Sequence, residues 1–93
     1  MLDDADIEAT AQQALVARLQ NMGQSCIAAK RFILNDAIAD SLVEQLKTLI
    51  GQLQSGDPKD ETTSIAPMAR EDLRADLHAQ VERSIAAGAQ RVT

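Results

Sequence analysis

Aromatic side chains are almost absent from this sequence: Phe32 is the only one, and there is no tryptophan or tyrosine. Aromatic residues usually bury the largest areas in a protein core, so this core must be built from aliphatic residues and methionine. The 93 residues correspond to one domain or part of one. A chain of this size buries only about 60–70% of its unfolded surface, so it folds with little margin. This composition favours packed helices whose apolar faces need partners.

Basic clusters and long apolar runs are also missing. Nine Lys and Arg against 14 Asp and Glu give a net charge of −5, and Lys30-Arg31 is the only adjacent basic pair. This excludes a stripe of cations that could follow a phosphate backbone, so we expect no nucleic-acid partner. No apolar run approaches the roughly 20 residues of a membrane span, and the N-terminal "MLDDADIEA" is acidic. A lone cysteine, Cys26, cannot form an internal disulfide, which is typical of a cytoplasmic protein.

Three segments repeat apolar residues at helical spacing and predict helices at about 4–20, 37–54 and 69–87. Asp3 or Asp4 is the expected cap of the first, and Asn35 or Asp36 that of the second. The stripes consist of Ile7, Ala11, Leu15 and Leu19 in the first helix, Ile38, Leu42, Leu46, Leu49 and Leu53 in the second, and Leu73, Leu77, Val81 and Ile85 in the third.

The intervening segments complete a mainly α fold with one or two short β-strands in a single partial domain. A cysteine loop at 21–27 leads into "AAKRFIL", a short apolar run at 28–34 that we interpret as a strand. Residues 55–68, rich in small polar residues and proline, form a loop. Gly88 ends the third helix, and 89–93 predict the start of another strand.

Two roles are open for Cys26, a small buried hydrophobic residue or a reaction nucleophile. A nucleophilic thiol needs a nearby cation, base or helix N-terminus. His78, the only imidazole, falls outside the apolar stripe of its helix, which is typical of a solvated surface residue. No metal-ligand spacing is present, and no phosphate-binding fingerprint can form because the glycines stand singly at 23, 51, 56 and 88. Spacing alone therefore does not decide between the two roles.

A resemblance to a known family bears on this choice. "NMGQSCIAAKRFIL" resembles the active-site segment of the aldehyde dehydrogenase superfamily, in which Asn-x-Gly-Gln-x-Cys carries the nucleophile. "LDDADIEATAQQALVARLQ" is similar to the helix before that cysteine, and "GDPKDETTSIAPMAREDLRADLHAQVERSIAAGAQ" to the loop and helix after it. The similarity covers essentially the whole chain. Within the family, these segments resemble bacterial NAD(P)-dependent succinate-semialdehyde dehydrogenases most.

The resemblance implies a role for Cys26 and for the residues of its loop. In the family the cysteine thiolate adds to the aldehyde carbon, hydride passes to NAD or NADP, and water hydrolyses the resulting thioester. The backbone N–H of Cys26 would form part of the oxyanion hole. Asn21, Gly23 and Gln24 match the loop motif and would position the thiol.

The sequence departs from the family pattern at two informative places. Ala66 replaces the glycine of the usual Gly-Pro pair, so we expect its methyl group to strain or reshape that loop. Gln20 stands where the better-defined succinate-semialdehyde enzymes tend to carry an arginine, which would grip a substrate carboxylate. Because of this second departure, the sequence does not specify which aldehyde is the substrate. Met22 occupies a variable position of the motif.

The resemblance also implies that most of the catalytic machinery lies outside these residues. The Rossmann-type cofactor domain, the general-base glutamate, the oxyanion-hole asparagine and the glutamate that contacts the ribose belong to other parts of the family fold. We therefore expect a fragment of the α/β catalytic domain that is inactive alone and binds no cofactor. The alternative is a small self-associating helical interaction module without a catalytic role, a homo-oligomer held by exposed apolar helix faces.

Overall fold

The computed structural model describes residues 1–93 and consists of three helices joined by irregular segments. Helix α1 spans Ile7–Leu19, α2 spans Asp36–Gly51 and α3 spans Glu71–Ala86, and a 3-10 turn at Gln20–Gly23 follows α1. None of the helices has the length and apolar content needed to cross a lipid bilayer. The order of helices is the one that the apolar spacing predicts.

Side-chain caps determine where α1 and α2 begin. The Asp6 carboxylate accepts a hydrogen bond from the Ala9 amide at 2.9 Å, so α1 starts three residues later than the expected position and uses neither Asp3 nor Asp4. The Asn35 side chain likewise accepts from the Ala37 amide at 2.9 Å. Such caps satisfy amide donors that have no partner in the first turn, which explains the two starting points.

The core lies between α1 and α2, which pack against each other. Its buried residues are all aliphatic, namely Ala11 and Ala14 of α1, Ile38 and Leu42 of α2, and Ala28 of the connecting segment. Alanines on α1 present little side-chain bulk to α2, and Leu42 is fully buried. The remaining stripe residues of α1 and α2 are partly covered. A core this small leaves each buried side chain a large share of the stability.

The expectation of one or two short strands is not met. Residues 28–34 are extended but pair with no neighbouring strand, and 89–93 form no strand either. The only β-type pairing is an isolated bridge between Ser55 and Ile65. A strand is defined by a ladder of hydrogen bonds to a neighbouring strand. Here only Met1 bonds the end of the run. Its ammonium group donates to the Ile33 carbonyl, and its carbonyl accepts from the Asn35 amide. The apolar run therefore has strand composition without a strand partner.

The loop before α3 closes on itself. The amides of Ser64 and Ile65 donate to the Gln54 carbonyl at 2.8 and 2.9 Å, and the Gly56 amide donates to the Ile65 carbonyl at 3.2 Å. Helix α3 then begins after Arg70 without a side-chain cap. It ends at Ala86 before Gly88, whose φ of +100° is a conformation that glycine adopts without strain.

Helix α3 packs against neither α1 nor α2. Its stripe residues Leu73, Leu77, Val81 and Ile85 are each 40–44% exposed. The chain has 7189 Å² of accessible surface, whereas a compact monomer of this mass exposes about 5,200 Å². Its radius of gyration is 14.6 Å, against about 12 Å for a compact domain of this length. The third amphipathic helix therefore has no apolar partner within the chain.

Replacement of Leu42 by alanine tests the α1–α2 core. Leu42 is fully buried, so Leu42→Ala should lower the free energy of unfolding by about 2–5 kcal/mol or unfold the chain outright. Urea denaturation followed by far-UV circular dichroism measures this. Val16→Ala is the matched control, since Val16 is 66% exposed on α1, and it should change stability by less than about 0.5 kcal/mol. Equal effects of the two substitutions would contradict the assigned core.

Acid titration tests the charge pairs in the first turn of α3. The Arg74 guanidinium bonds the Glu71 carboxylate, with Nε to Oε2 at 2.8 Å, and holds the pKa of Glu71 below its ordinary 4.5. A bond from Arg70 likewise lowers the pKa of Asp72. A carboxylate whose pKa is lower in the folded state than in the unfolded state stabilises the folded state fully at pH values above its unfolded pKa. This contribution is lost as pH falls through the folded pKa.

The Arg74→Gln variant isolates this contribution to the helicity of α3. The difference in circular dichroism between the parent chain and Arg74→Gln should be largest above about pH 5 and should disappear towards about pH 2, where the carboxylates are protonated. The Glu71 charge also favours the helix N-terminus in both proteins, so only the pairing is compared. A difference that does not vary with pH would show that the pair contributes nothing to α3.

Candidate active-site cysteine loop

The chain leaves α1 through three consecutive residues with left-handed backbone. Asn21, Met22 and Gly23 have φ angles of 50°, 57° and 74°. Glycine adopts this conformation without penalty and asparagine tolerates it, but for methionine it costs about 1–2 kcal/mol. Strained residues of this kind concentrate at functional sites, where the surrounding structure maintains them. The sequence motif marked Gly23 and Asn21, whereas nothing in the sequence marked the conformation of Met22.

Arg18, in the last turn of α1, lies beneath the loop. Its Nη1 donates to the Ala29 carbonyl at 3.1 Å, and the Ala29 amide donates to the Ala17 carbonyl at 2.9 Å. A Cβ atom on Gly23 would lie only 3.1 Å from Arg18 Nη2. The backbone angle of Gly23 therefore favours glycine, and any side chain there would also have to displace the Arg18 guanidinium by a few tenths of an ångström. Sequence reasoning missed Arg18, because its partner is eleven residues away in a segment without helical periodicity.

The cysteine loop also contacts the segment that precedes α3. The Gln24 side-chain oxygen accepts from the Ala69 amide at 3.3 Å. The Met22 sulfur accepts from the Ala66 amide at 3.4 Å. Ala66 has no left-handed backbone, so its methyl group imposes no strain of the kind expected there. Gln24, predicted as a positioning residue, therefore bonds the cysteine loop to the segment before α3. Met22 makes a second bond between them, although its position in the motif is variable.

Cys26 lies on the surface of the loop with its thiol exposed. Neither its sulfur nor its backbone N–H makes a hydrogen bond within the chain. Its carbonyl accepts from Lys30 Nζ at 3.4 Å, and the same ammonium group is 3.0 Å from the Ala28 carbonyl. An exposed thiol does not fit the alternative of a small buried core residue. A free N–H beside a nucleophile is the kind of donor that stabilises a developing oxyanion.

The other groups that a catalytic thiol needs are not gathered around Cys26. His78 is exposed on α3 and makes no hydrogen bond. No cluster of three or more His, Cys, Asp or Glu side chains is arranged to hold a metal ion. The main surface grooves follow α1, α3 and the segment around Pro67, and Cys26 lines none of them. The loop therefore presents a thiol and an amide, without a base among its contacts.

These residues do not fit a dinucleotide. A pyrophosphate binds where a glycine-rich loop opens onto a helix N-terminus with free amides. Here the first turns of α1 and α2 are closed by the side chains of Asp6 and Asn35. Helix α3 follows Arg70 and carries the carboxylates Glu71 and Asp72 in its first turn, which would repel an anion.

Comparison with known proteins bears on the whole chain. The model of the aldehyde dehydrogenase family matches residues 1–93. A succinate semialdehyde dehydrogenase [NAD(P)+] of Escherichia coli is 47% identical over 90 residues, covering 97% of this chain and 20% of that protein. A probable succinate-semialdehyde dehydrogenase [NADP(+)] of Synechocystis is 48% identical over 89 residues, 96% of this chain and 20% of its own length.

A third relative, an aldehyde dehydrogenase of Paenarthrobacter nicotinovorans, is 45% identical over 89 residues, 96% of this chain and 19% of that protein. The chain spans about a fifth of the length of the curated relatives it matches. The match to the family extends over every residue, including the loop built around Cys26. The chain belongs to the aldehyde dehydrogenase family.

Proposed function

We propose that residues 1–93 supply the nucleophile segment of an NAD(P)-dependent aldehyde dehydrogenase, an oxidoreductase, with Cys26 as the attacking residue. The observation that carries this proposal is the exposed Cys26 thiol beside its own unengaged backbone N–H, in a chain that matches the family throughout. The relatives named above support the cofactor class, since their names specify NAD(P)+ and NADP+.

The chemistry assigned to Cys26 is addition to a carbonyl. Its thiolate sulfur forms a bond to the aldehyde carbon, and the electron pair of the C=O double bond moves onto oxygen. The Cys26 N–H, which has no acceptor in the chain, would donate to that oxyanion. Protonation of the oxygen gives a thiohemiacetal. The later oxidation needs a hydride acceptor, and since residues 1–93 do not fit a dinucleotide, we assign none of that step to them.

Three residues are proposed to position the thiol. Asn21 accepts the Gln24 amide on its carbonyl at 3.0 Å, which closes the turn, and Gly23 lets the backbone pass against Arg18. The Gln24 side chain bonds the Ala69 amide. Together they set the direction in which the chain reaches Cys26, and a small error in the direction of a nucleophile is costly to catalysis.

The proposed substrate class is a short aldehyde that carries a carboxylate, such as succinate semialdehyde. Two relatives carry that substrate in their names. Gln20 offers no charge for a carboxylate, but Lys30 brings an ammonium group to 3.4 Å from the Cys26 carbonyl. A cation at this distance from the loop would attract an anionic substrate without the bidentate grip of an arginine.

We expect residues 1–93 alone to form no NADH or NADPH from succinate semialdehyde above the level of the Cys26→Ala variant. The reason is that these residues provide the thiol with neither a general base nor a dinucleotide-binding site. Absorbance of the reduced nicotinamide measures the reaction, and the Escherichia coli relative is the positive control. Steady turnover that disappears in Cys26→Ala would show that the chain contains the whole machinery and would overturn the expectation.

We also expect the thiol of the isolated chain to alkylate at an ordinary rate. The Cys26 sulfur is exposed and makes no hydrogen bond, and the nearby Lys30 ammonium group bonds the carbonyls of Cys26 and Ala28 rather than the sulfur. Its rate with iodoacetamide at neutral pH should lie within about threefold of that of a small free thiol. The same chain in urea is the control for exposure. A folded chain that reacts many times faster than the unfolded one would show that the loop itself activates Cys26.

A second candidate function is self-association as a small helical module. The observation that favours it is the exposed apolar stripe of α3 together with an accessible surface well above that of a compact monomer. This role requires no reactivity of Cys26. It is compatible with descent from an aldehyde dehydrogenase, because an apolar face must be covered whatever the ancestry of the chain.

A further inference from the structure

Arg18, in the last turn of α1, lies against both ends of the segment that carries the thiol. Its Nη1 donates to the Ala29 carbonyl at 3.1 Å in a partly buried hydrogen bond. On the other side, a Cβ atom built on Gly23 would lie 3.1 Å from Nη2 and 3.4 Å from Cζ of the same guanidinium group. Gly23 stands three residues before Cys26, and Ala29 stands three residues after it. The Arg18 guanidinium therefore spans the base of the cysteine loop.

The hydrogen bonds inside the loop are local. The Gln24 amide donates to the Asn21 carbonyl at 3.0 Å, which closes the turn before the cysteine. Lys30 Nζ donates to the Cys26 and Ala28 carbonyls at 3.4 and 3.0 Å. Each of these bonds joins residues no more than four positions apart. They shape the two arms of the loop, but they do not attach it to α1.

Two hydrogen bonds attach the loop to the end of α1. The Ala29 amide donates to the Ala17 carbonyl at 2.9 Å, and the Ala29 carbonyl accepts from Arg18. The first bond joins backbone groups and does not depend on a side chain, whereas the second requires the arginine. Because the same guanidinium also lies against Gly23, Arg18 relates the arm before Cys26 to the arm after it.

The Arg18 guanidinium has no carboxylate partner within the chain. The ion pairs of these 93 residues lie on α2 and at the start of α3, and none of them includes Arg18. A guanidinium group is planar and carries its donors in a fixed fork, so it can hold a carbonyl with one nitrogen while another packs against backbone. Lysine would place a single ammonium group on a flexible stem and would fill less of the space beside Gly23.

We infer that Arg18 is a positioning residue for Cys26, because its guanidinium group holds the Gly23 and Ala29 ends of the loop in place and so sets the direction of the Cys26 thiol and N–H. This inference rests on the nucleophilic role proposed above for Cys26. It adds to that role a residue outside the Asn-x-Gly-Gln-x-Cys motif. A displacement of a reacting group by about 1 Å can lower a reaction rate about a hundredfold, so the orientation of this loop matters to the chemistry.

A nitroxide spin label on Cys26 tests the order of the loop in the 93-residue chain. Cys26 is the only cysteine, and its exposed sulfur makes no hydrogen bond that the label would break. The electron paramagnetic resonance spectrum of the parent chain should be broad. Arg18→Gln should narrow it without loss of helicity in far-UV circular dichroism, and Arg18→Lys should give an intermediate spectrum. Arg31→Gln is the matched control, since Arg31 is exposed and forms no ion pair, and its spectrum should equal that of the parent.

The spectra decide the inference without any measurement of activity. An Arg18→Gln spectrum identical to that of the parent would overturn it, as would a parent spectrum as narrow as that of the chain in urea. Equal narrowing by Arg18→Gln and Arg31→Gln would also overturn it, because the loss of a positive charge would then be the cause. Should Arg18→Gln unfold the chain, Arg18→Lys takes its place, and a spectrum of Arg18→Lys identical to that of the parent contradicts the inference.

Catalysis is tested with residues 1–93 placed in the Escherichia coli relative, in exchange for the segment that they match. Arg18→Gln should lower kcat for succinate semialdehyde by about ten- to a hundredfold and leave the KM for the dinucleotide within about twofold, since the loop does not bind the dinucleotide. Arg18→Lys should recover part of the loss. A parallel loss of dinucleotide affinity would show a general structural role and overturn the inference. A folded chimera that is inactive, or whose turnover survives Cys26→Ala, would instead overturn the role proposed for Cys26.

Discussion

The contact between α1 and α2 is the constraint on which the candidate site depends. It buries Ala28, the second residue after Cys26, and it fixes Arg18 and Ala17 of α1, which bond both edges of Ala29. Both ends of the cysteine loop are thereby attached to the same small core. The left-handed backbone of Met22 lies between two attachments, the bonds of Ala29 to α1 and the bond from the Ala66 amide to the Met22 sulfur.

The helices were predictable because their determinants are local. Four-residue apolar spacing and a capping side chain are both contained within a few turns of sequence, and Asn35 begins α2 in the way such residues do. The start of α1 was placed too early because three aspartates stand close together, and the cap is the last of them, Asp6. The strand at 28–34 was wrong because strand formation depends on a neighbour that the run itself cannot specify.

The residues of the candidate site likewise divide into those that a local sequence pattern identifies and those that only the folded chain brings together. Cys26, Asn21, Gly23 and Gln24 were found from a contiguous motif, although their catalytic roles stay predictions. The bonds from Ala66 to the Met22 sulfur and from Ala69 to the Gln24 side chain join residues 44 and 45 positions apart. No periodicity connects such distant positions, so these contacts could be found only in the folded chain.

The apolar stripe of α3 and the Cys26 thiol both lack partners within this chain, and the two require partners of different chemistry. The stripe of α3 needs apolar area, and since the hydrophobic effect is non-directional, any complementary apolar surface can cover it, including another copy of itself. The catalytic role proposed for the Cys26 thiol needs a base and a hydride acceptor held at defined distances and angles. A second copy contributes only the same capped helix ends and the same exposed His78. Covering the stripe of α3 would therefore not supply what the proposed role of Cys26 lacks.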